Sequence, residues 1–598
     1  MPTLHQYDYI FAIGTIFAFL DAWNIGANDV ANSWATSVSS RSISYIQAMS
    51  LGSILEFAGA IGVGQRVADT IRTKVVDVES YRDTPAVLML GMTCAIVASA
   101  IYLTICTKIG LPVSTTHSLM GGVIGMGIAT VGASNVIWYD AKGGIANGVV
   151  SVFLAWIIAP GLAGAFGAII FTITKYAVMV RRNPVMKGLM SVPVYFAITA
   201  SLLTMLIVWK GGSINLDHFS DGELIGLIIG VGIAWGVLVA IFFVPWLYRL
   251  VAKDDWELRW YHIAQGPLLL RRPDPPAQPE GAPGGIRDFY EGHATKEELE
   301  ARATAAAAAD SGDVEASPAT STKEAGVLGD KTTGQAANSD SGSNRPALAP
   351  TSRPGHGAAV HKPLVGPRPE GAWLSGPVMW WVFKKIFLSG VDQDIITQQK
   401  KKSMLTGDLE KIHAGVTHYD NKAEFLYSFM QIMTACTASF THGANDVANA
   451  IGPFATIFQI WEQGDIPAKG AKADVPFWIL CFGGVGIALG IWTYGCNIMR
   501  NLGNRLTLHS PARGFSMELG AAVTIILATR LKLPVSTTQC ITGATVGVGL
   551  CSGTWRTINW RMVAWIYMGW IITLPVAATF AGCMAGIIIN APRWGLRN

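Results

Sequence analysis

Long apolar stretches separated by shorter polar segments dominate this sequence. Seven stretches, several rich in Gly and Ala, fall at 9–34, 45–65, 85–107, 112–129, 146–179, 191–209 and 223–248. Five more fall at 424–458, 475–499, 515–530, 534–551 and 561–590. An α-helix rises ~1.5 Å per residue, so roughly 20 apolar residues cross a hydrocarbon core of about 30 Å. The pattern predicts an all-α polytopic membrane protein with about 12 membrane segments in the lipid bilayer.

A long hydrophilic stretch at 251–420 separates the seven segments from the five. It is rich in Pro, Ala, Ser, Gly and charged residues, as in PDPPAQPEGAPGG and TTGQAANSDSGSN. Such a composition buries too little apolar surface to fold alone, so we predict a largely disordered loop. Its two ends mix aromatic and basic residues and could lie as helices on the membrane surface. The chain thus divides into a membrane region at 1–250, the loop, and a membrane region at 421–598.

Basic residues near the ends of the segments predict how the chain is oriented. Those that follow segments five, seven and nine, and those that precede segment eight, fall on one side of the membrane. That side should be the cytoplasm, because Lys and Arg are in excess there. We therefore predict a cytoplasmic loop at 251–420 and both chain ends outside. The first residues lack the basic start of a cleaved signal, so we expect the first helix to be retained.

Two short motifs each occur twice in the same order. GANDVAN occurs at Gly26–Asn32 and Gly443–Asn449, and LPVSTT occurs at Leu111–Thr116 and Leu533–Thr538. Their spacing is similar, with 86 residues from the first glycine to the following proline and 91 in the second copy. This regularity indicates a duplicated unit. Because an odd number of segments precedes the second copy, we predict two inverted-topology repeats with the substrate at their interface.

The GANDVAN motif combines small residues with oxygen-bearing side chains at membrane depth. The small residues permit close helix packing, and the two Asn residues lie four apart on one helix face. Hard cations prefer carboxylate, amide and free carbonyl oxygens. The motif therefore predicts sodium ligands, although the same residues could merely cap a broken helix. The candidates are Asn28, Asp29, Asn32, Asn445, Asp446 and Asn449.

The PVSTT motif predicts a helix start inside the membrane. Proline ends a preceding helix, and a new one should begin at Ser114 or Ser536 within a segment too short to span, as in a half-helix or re-entrant hairpin. Such a start offers free N–H groups, a positive dipole end and hydroxyl donors, which suit an oxyanion. The alternative is that these residues only cap and pack the helices. The candidates are Ser114, Thr115, Thr116, Ser536, Thr537 and Thr538.

Two more acids, Glu56 and Glu518, lie at membrane depth at positions that are not equivalent in the repeats. Together with Asp29 and Asp446 they would cost on the order of 10 kcal/mol if uncompensated. The apolar segments hold few basic residues, so bound cations or protons are the simplest compensation. The alternative is a neutral acid that is hydrogen-bonded between helices.

These duplicated motifs resemble the inorganic phosphate transporter (PiT) family, in particular fungal plasma-membrane sodium/phosphate symporters. The resemblance covers about 1–250 and 421–598. It implies that the two Ser/Thr hairpins bind phosphate beside sodium ions. It also implies that the following residues take part in transport: Asp29, Asp446, Glu56, Glu518, Ser114 and Ser536.

The two halves differ at two positions next to the motifs. His117 follows the first PVSTT, whereas Gln539 follows the second, where many relatives have His. His442 precedes the second GANDVAN, whereas Ile25 precedes the first. A role that needs a titratable group in both halves is therefore in doubt, and we group His442 with Glu56 and Glu518 as candidate coupling residues.

The resemblance implies a secondary active transporter in the plasma membrane that imports inorganic phosphate by cation symport, with sodium favoured. Three alternatives stay open: a proton-coupled phosphate carrier, a carrier of another oxyanion such as sulfate, and a phosphate sensor on a transporter scaffold. The sequence lacks HExxH, GxSxG and Walker A motifs, so it indicates neither an enzyme nor an ATP-driven pump. A net charge of +4 does not indicate nucleic-acid binding. We expect no cofactor and no metal other than sodium, and a homodimer is left open.

Overall fold

The computed structural model describes residues 3–64, 75–139, 148–210, 219–276, 286–311, 365–387, 395–401, 403–466, 475–530 and 535–591. Over these residues the protein is helical, apart from one isolated bridge between Val76 and Val136. The prediction of an all-α protein is confirmed.

Thirteen helices form the body of the described protein. The N-terminal region contributes α1 (Asp8–Ser39), α2 (Tyr45–Val63), α3 (Pro85–Ile109), α4 (Thr115–Val131), α5 (Val149–Thr174), α6 (Pro184–Lys210) and α7 (Asp221–Leu238). The C-terminal region contributes α8 (Asn421–Gln463), α9 (Phe477–Thr493), α10 (Gly495–Leu502), α11 (Pro511–Arg530), α12 (Thr537–Ser552) and α13 (Trp560–Asn590). Helix α7 continues through π-helical turns to Ala252.

Seven of the described helices are long and apolar enough to cross a membrane, namely α1, α2, α3, α5, α6, α7 and α13. Helices α9 and α10 are bent by 65° at a short break and would make an eighth span if they are counted as one. Helices α4 and α12 have only 17 and 16 residues, which is short for a core of about 30 Å. The protein is therefore a multi-pass membrane protein, whereas the total of 12 segments and their inverted order stay predictions.

Helices that carry the same motif in the two halves have matching neighbours. Helix α1 packs on α3 and α9, and its counterpart α8 packs on α11 and α2. Helix α4 packs on α13, and its counterpart α12 packs on α5. Each half therefore supplies packing partners to the other, and the repeat of the sequence is repeated in the tertiary contacts.

The glycine that opens each GANDVAN motif allows one of these close crossings. A Cβ atom at Gly26 would overlap the backbone oxygen of Ile487 in α9, and one at Gly443 would overlap the backbone oxygen of Glu56 in α2. Only glycine lets the helix backbones approach so closely. The first residue of the motif thus sets the distance between the halves.

The turn between α3 and α4 directs the start of α4 into the protein interior. Gly110 ends α3 with φ of 77°, in the left-handed region that favours glycine. The N–H of Val113 donates to Asn28 Oδ1 over 3.2 Å, which holds the extended residues against α1. Ser114 then begins α4, and its Oγ accepts from the N–H of His117 over 3.2 Å. In the second copy, Ser536 is extended before α12, and 531–534 lie outside the described residues.

The described ends of the central region contain five shorter helices, Trp260–Arg271, Lys296–Ser311, Gly376–Phe387, Ile395–Gln399 and Leu409–Ala414. The second predicted surface helix is formed as Gly376–Phe387, whereas the first consists of two short 3-10 stretches interrupted at Gly266. Contact of either with a membrane stays a prediction. Some of the described residues of 251–420 pack on the membrane helices. The buried Tyr290 donates to Glu424 over 2.6 Å, and Gln399 donates to Ser39 over 2.9 Å. A few anchoring side chains of this kind do not change the average composition of a long hydrophilic segment, so the composition could not predict them.

Candidate functional site

The two sequence motifs meet across the halves of the protein. Asn32 of α1 donates through Nδ2 to the hydroxyls of Thr537 and Thr538, over 3.1 and 2.9 Å. In the matching contact, Asn449 of α8 donates to the hydroxyls of Thr115 and Thr116, over 3.2 and 3.1 Å. Each GANDVAN motif is therefore bonded to the PVSTT motif of the opposite half, and all these side chains are buried.

The threonine hydroxyls also contact the two aspartates. Thr115 donates to Asp29 Oδ2 over 2.9 Å within the N-terminal half, and Thr537 donates to Asp446 Oδ2 over 3.3 Å within the C-terminal half. Thr538 lies 3.2 Å from Asp29 Oδ1 and so joins the halves once more. The starts of α4 and α12 and the two aspartates thus form one compact polar cluster.

His442 connects this cluster to Glu56. Its Nδ1 lies 2.8 Å from Glu56 Oε2, and its Nε2 lies 3.0 Å from Asp446 Oδ2 and 3.6 Å from Asp29 Oδ2. The ligand atoms of Asp29, His442 and Asp446 all lie within 4.8 Å of one another. Three carboxylates therefore surround one imidazole, which carries at most one positive charge. If all three are ionised, further positive charge is needed.

Free oxygen atoms remain in the cluster. Asn32 Oδ1 and Glu56 Oε1 are buried and accept no hydrogen bond from the described residues. Buried acceptors without a donor are unfavourable unless another group, such as a cation, satisfies them. The donor set consists of carboxylate, amide and hydroxyl oxygens, which is the set that hard cations prefer. The cluster can therefore accommodate a sodium ion chemically.

Two of the predicted asparagines lie differently from the other four GANDVAN candidates. Asn28 holds the turn before α4 by donating to Thr107 Oγ1 over 3.1 Å and to the backbone oxygen of Leu111 over 3.3 Å. Asn445 is half-buried and has no hydrogen bond to the cluster among the described residues. The residue that matches Leu111 in the second copy is Leu533, which lies outside those residues. Asn28 is thus a support for the helix start, while the role of Asn445 stays a prediction.

Glu518 lies apart from the other predicted residues. Its Oε1 accepts from Thr36 over 2.5 Å, from Ser37 over 2.7 Å and from Gln431 over 3.2 Å. Its Oε2 accepts from Thr434 over 2.5 Å. Thr36 is seven residues beyond Asp29 on α1, so this acid lies on the order of 10 Å along the helix from the central cluster. The four donors come from α1 and α8 and satisfy both carboxylate oxygens.

Sequence reasoning did not identify these four donors or the partner of His117. Trp156 of α5 donates to His117 Nδ1 over 3.2 Å, which ties the ring to its neighbouring helix. Polar residues four or fewer apart in an apolar helix, such as Gln431 and Thr434, are the signal that could have drawn attention to the Glu518 donors. No local signal links them to an acid in a distant helix.

The geometry suits a small anion held between two helix starts next to cations. The first residues of α4 and α12 lie at the cluster, and the positive dipole end of a helix start favours negative charge. Ionised carboxylates alone would repel an anion, and a bound cation would offset this repulsion. An arrangement of this kind couples the binding of the two ions.

The chain is similar to known proteins along almost its whole length. The model of the phosphate transporter family matches residues 25–581. A phosphate-repressible phosphate permease, pho-4, of Neurospora crassa is 62% identical over 99% of both chains. Sodium-dependent phosphate transporter 2 of Homo sapiens is 27% identical over 98% of this chain and 99% of its own.

A solved structure described as the sodium-dependent phosphate transporter shares the fold. It aligns with a TM-score of 0.61 at 24% identity and covers 98% of this chain and 100% of its own. The family is one of transporters and not of enzymes. With a family match across nearly the whole chain, this protein belongs to the phosphate transporter family.

Proposed function

We propose that this protein imports inorganic phosphate across the plasma membrane in symport with sodium. The observation that carries the proposal is a pair of matching contacts between the halves. Asn32 donates to the threonines at the start of α12, and Asn449 donates to the threonines at the start of α4. These contacts place an oxygen-rich site for cations next to two helix starts that suit an anion. The relatives include a phosphate permease and sodium-dependent phosphate transporters, and their names agree with both substrates.

Sodium ions bind among the oxygens of the two GANDVAN motifs. Asp29 and Asp446 supply the charge, and Asn32 Oδ1 supplies an acceptor that no described donor satisfies. Asn449, Asn28 and Asn445 complete or support the ligand set. Sodium fits, because oxygen atoms predominate among the side-chain atoms of Asp29, Asp446 and the asparagines around them.

Phosphate binds between the starts of α4 and α12. The hydroxyls of the residues already bonded to Asn32 and Asn449 turn toward the anion, together with Ser114 and Ser536 and the free N–H groups of both helices. These residues are Ser114, Thr115, Thr116, Ser536, Thr537 and Thr538.

Coupling follows from charge. Asp29, Glu56 and Asp446 around His442 make the empty site negative, so phosphate is repelled until sodium has entered. His442 and Glu56 act on the central ions directly. Glu518 acts on them through α1, because it is bonded to Thr36 and Ser37 of that helix. Rocking of two inverted repeats about this site then exposes it to the cytoplasm, where 251–420 lies, while both chain ends stay outside.

Labelled phosphate uptake into proteoliposomes tests the proposal. The purified full-length protein is reconstituted, and an inward sodium gradient is compared with an equal potassium gradient at fixed pH. Sodium-dependent accumulation is expected. Accumulation driven equally by a proton gradient without sodium would contradict sodium coupling, and uptake of sulfate but not phosphate would contradict the substrate. Phosphate binding without any uptake would favour a sensor.

A further inference from the structure

Asp21 is a buried acid that the central site does not use. It lies on α1, five residues before Gly26, and its side chain is completely buried. Neither carboxylate oxygen accepts a hydrogen bond of normal length and angle from the described residues. None of the ion pairs among the described residues includes Asp21, and those of the central site join His442 to three other acids. Asp21 therefore lacks a compensating charge from the described protein.

Two other oxygen atoms without donors lie on the same interface between α1 and α3. Ser99 of α3 interacts with the Asp21 carboxylate, but its Oγ has no hydrogen bond of normal geometry among the described residues. Asn24 donates through Nδ2 to the backbone oxygen of Ala100 over 3.1 Å and to Thr104 Oγ1 over 2.9 Å. These bonds fix the amide and leave its buried Oδ1 without a donor.

These residues belong to a polar seam that leads to the central site. Along α1, the side chains of Asp21, Asn24 and Asn28 follow the spacing that places residues on one helix face. On α3 their partners occur in the same order, because Asp21 interacts with Ser99 and Asn28 with Thr107. The two helices thus run parallel, and Asp21 lies on the order of 10 Å from Asn28 along the seam.

We propose that Asp21, Asn24 and Ser99 bind a sodium ion between α1 and α3, in addition to the ions of the central site. The ligands are a carboxylate, an amide oxygen and a hydroxyl, all of which are oxygen donors of the kind that hard cations take. A bound ion gives these unpaired oxygens a partner and neutralises the buried acid. The proposal rests on the sodium coupling proposed above.

The number of sodium ions bound per chain tests this site. Radioactive sodium binding is measured on the purified full-length protein without phosphate, for wild type and Asp21→Asn. The substitution keeps the size and polarity of the side chain but removes its charge. We expect Asp21→Asn to bind one sodium ion fewer per chain. An unchanged count overturns the proposal, including the case in which a proton neutralises Asp21.

Ser99→Ala keeps the test decisive if Asp21→Asn does not fold. It removes one ligand atom, and we expect it to raise the sodium concentration for half-occupancy of one ion about threefold or more. The matched control is Thr93→Ala on the same helix, because the buried Thr93 hydroxyl bonds only to the backbone oxygen of Met89 in its own helix, over 2.9 Å. Equal sodium binding by the Ser99 and Thr93 variants would overturn the proposal.

Uptake by the same preparations separates this inference from the proposed function. Wild-type protein that shows no sodium-driven phosphate uptake contradicts the function itself. Wild-type protein that shows such uptake, together with an unchanged sodium count in Asp21→Asn, contradicts only the additional site.

Discussion

In the proposed mechanism, Asp29 and Asp446 carry the charge that attracts cations to the central cluster. Each accepts a hydrogen bond from the first threonine of a half-helix, so each links a cation ligand to the anion-binding helix start. The aspartates therefore belong to both parts of the site, which is why sodium and phosphate binding are expected to depend on each other.

We predict that Asp29→Asn and Asp446→Asn each raise the sodium concentration for half-maximal phosphate uptake at least tenfold. The substitution removes one of the charges that hold the ion while keeping the hydrogen-bonding shape of the side chain. Sodium titrations of uptake in proteoliposomes measure it. Asp221→Asn, at the exposed first turn of α7, is the control and should behave as wild type. Unchanged sodium dependence in both central variants would contradict the cation assignment.

Thr116 offers a test of the anion side. Among the described hydrogen bonds its hydroxyl accepts only from Asn449, over 3.1 Å, and it touches no carboxylate. A hydrogen bond to a charged group contributes roughly 1.5–3 kcal/mol. Thr116→Val should therefore raise the phosphate concentration for half-maximal uptake about 10- to 100-fold, and Thr116→Ser should restore most of it. Equal uptake curves for Val and Ser would argue against contact between this hydroxyl and phosphate.

The half-helices are the elements that the sequence predicted best. Proline followed by Ser and Thr is a local signal, and α4 begins directly after Ser114, as α12 begins directly after Ser536. The duplicated motifs also identified the aspartates and the asparagines that meet them. The local sequence was sufficient to predict these helix starts, because proline and a capping residue act on their neighbours in the chain.

The surroundings of Glu518 and Asp21 could not be predicted in the same way. The donors to Glu518 come from α1 and α8, and Ser99 comes from α3, so they become neighbours only through the packing of distant helices. A single acid in an apolar segment indicates that a partner is needed but not which one. The spacing of polar residues within one helix does not show which residues of another helix will lie beside them.

The helix crossing at Gly443 gives a prediction at the level of elements. A methyl group there would overlap the backbone oxygen of Glu56 and push α8 from α2. Overpacking of this kind costs about 1–3 kcal/mol. Gly443→Ala should therefore lower the thermal unfolding midpoint in detergent and abolish sodium-dependent uptake. Gly62→Ala on α2, where nothing lies within 4 Å of the added atom, is the control and should be close to wild type.

The docked part of the central region should respond to pH. His293 and His413 contact each other through Nδ1 atoms 3.2 Å apart, and burial lowers the pKa of His293 to about 3 and that of His413 to about 4. Both rings are therefore neutral when docked, while the undocked rings take up protons near an ordinary pKa of about 6.5. Docking is at full strength above that pH and weakens as the pH falls from about 6.5 toward 4.

Hydrogen exchange of residues 286–294, corrected for its intrinsic pH dependence, measures this docking in the full-length protein. Protection should fall between pH 7 and pH 5. His293→Gln removes one of the two titrating rings and should flatten the pH dependence. Protection that is equally strong at both pH values in the wild type would contradict this account.

At the scale of the whole molecule, the two halves interlock through matching contacts. The two helices that carry GANDVAN, α1 and α8, each pack between helices of both halves. The short helix α4 packs on α13 of the other half, and the short helix α12 packs on α5 of the other half. The proposed substrate site therefore needs both halves, and movement of one half against the other would change it. This is the arrangement expected when two repeats alternate access around a shared site.

The dependence of phosphate affinity on sodium tests most directly whether the two motifs form one coupled site. Binding of labelled phosphate to the purified protein is measured in sodium and in potassium at equal ionic strength, for wild type and for the double variant Asp29→Asn, Asp446→Asn. We predict a phosphate Kd at least tenfold lower in sodium for wild type, and a difference that disappears in the double variant. A wild-type Kd that is the same in both salts would contradict the account.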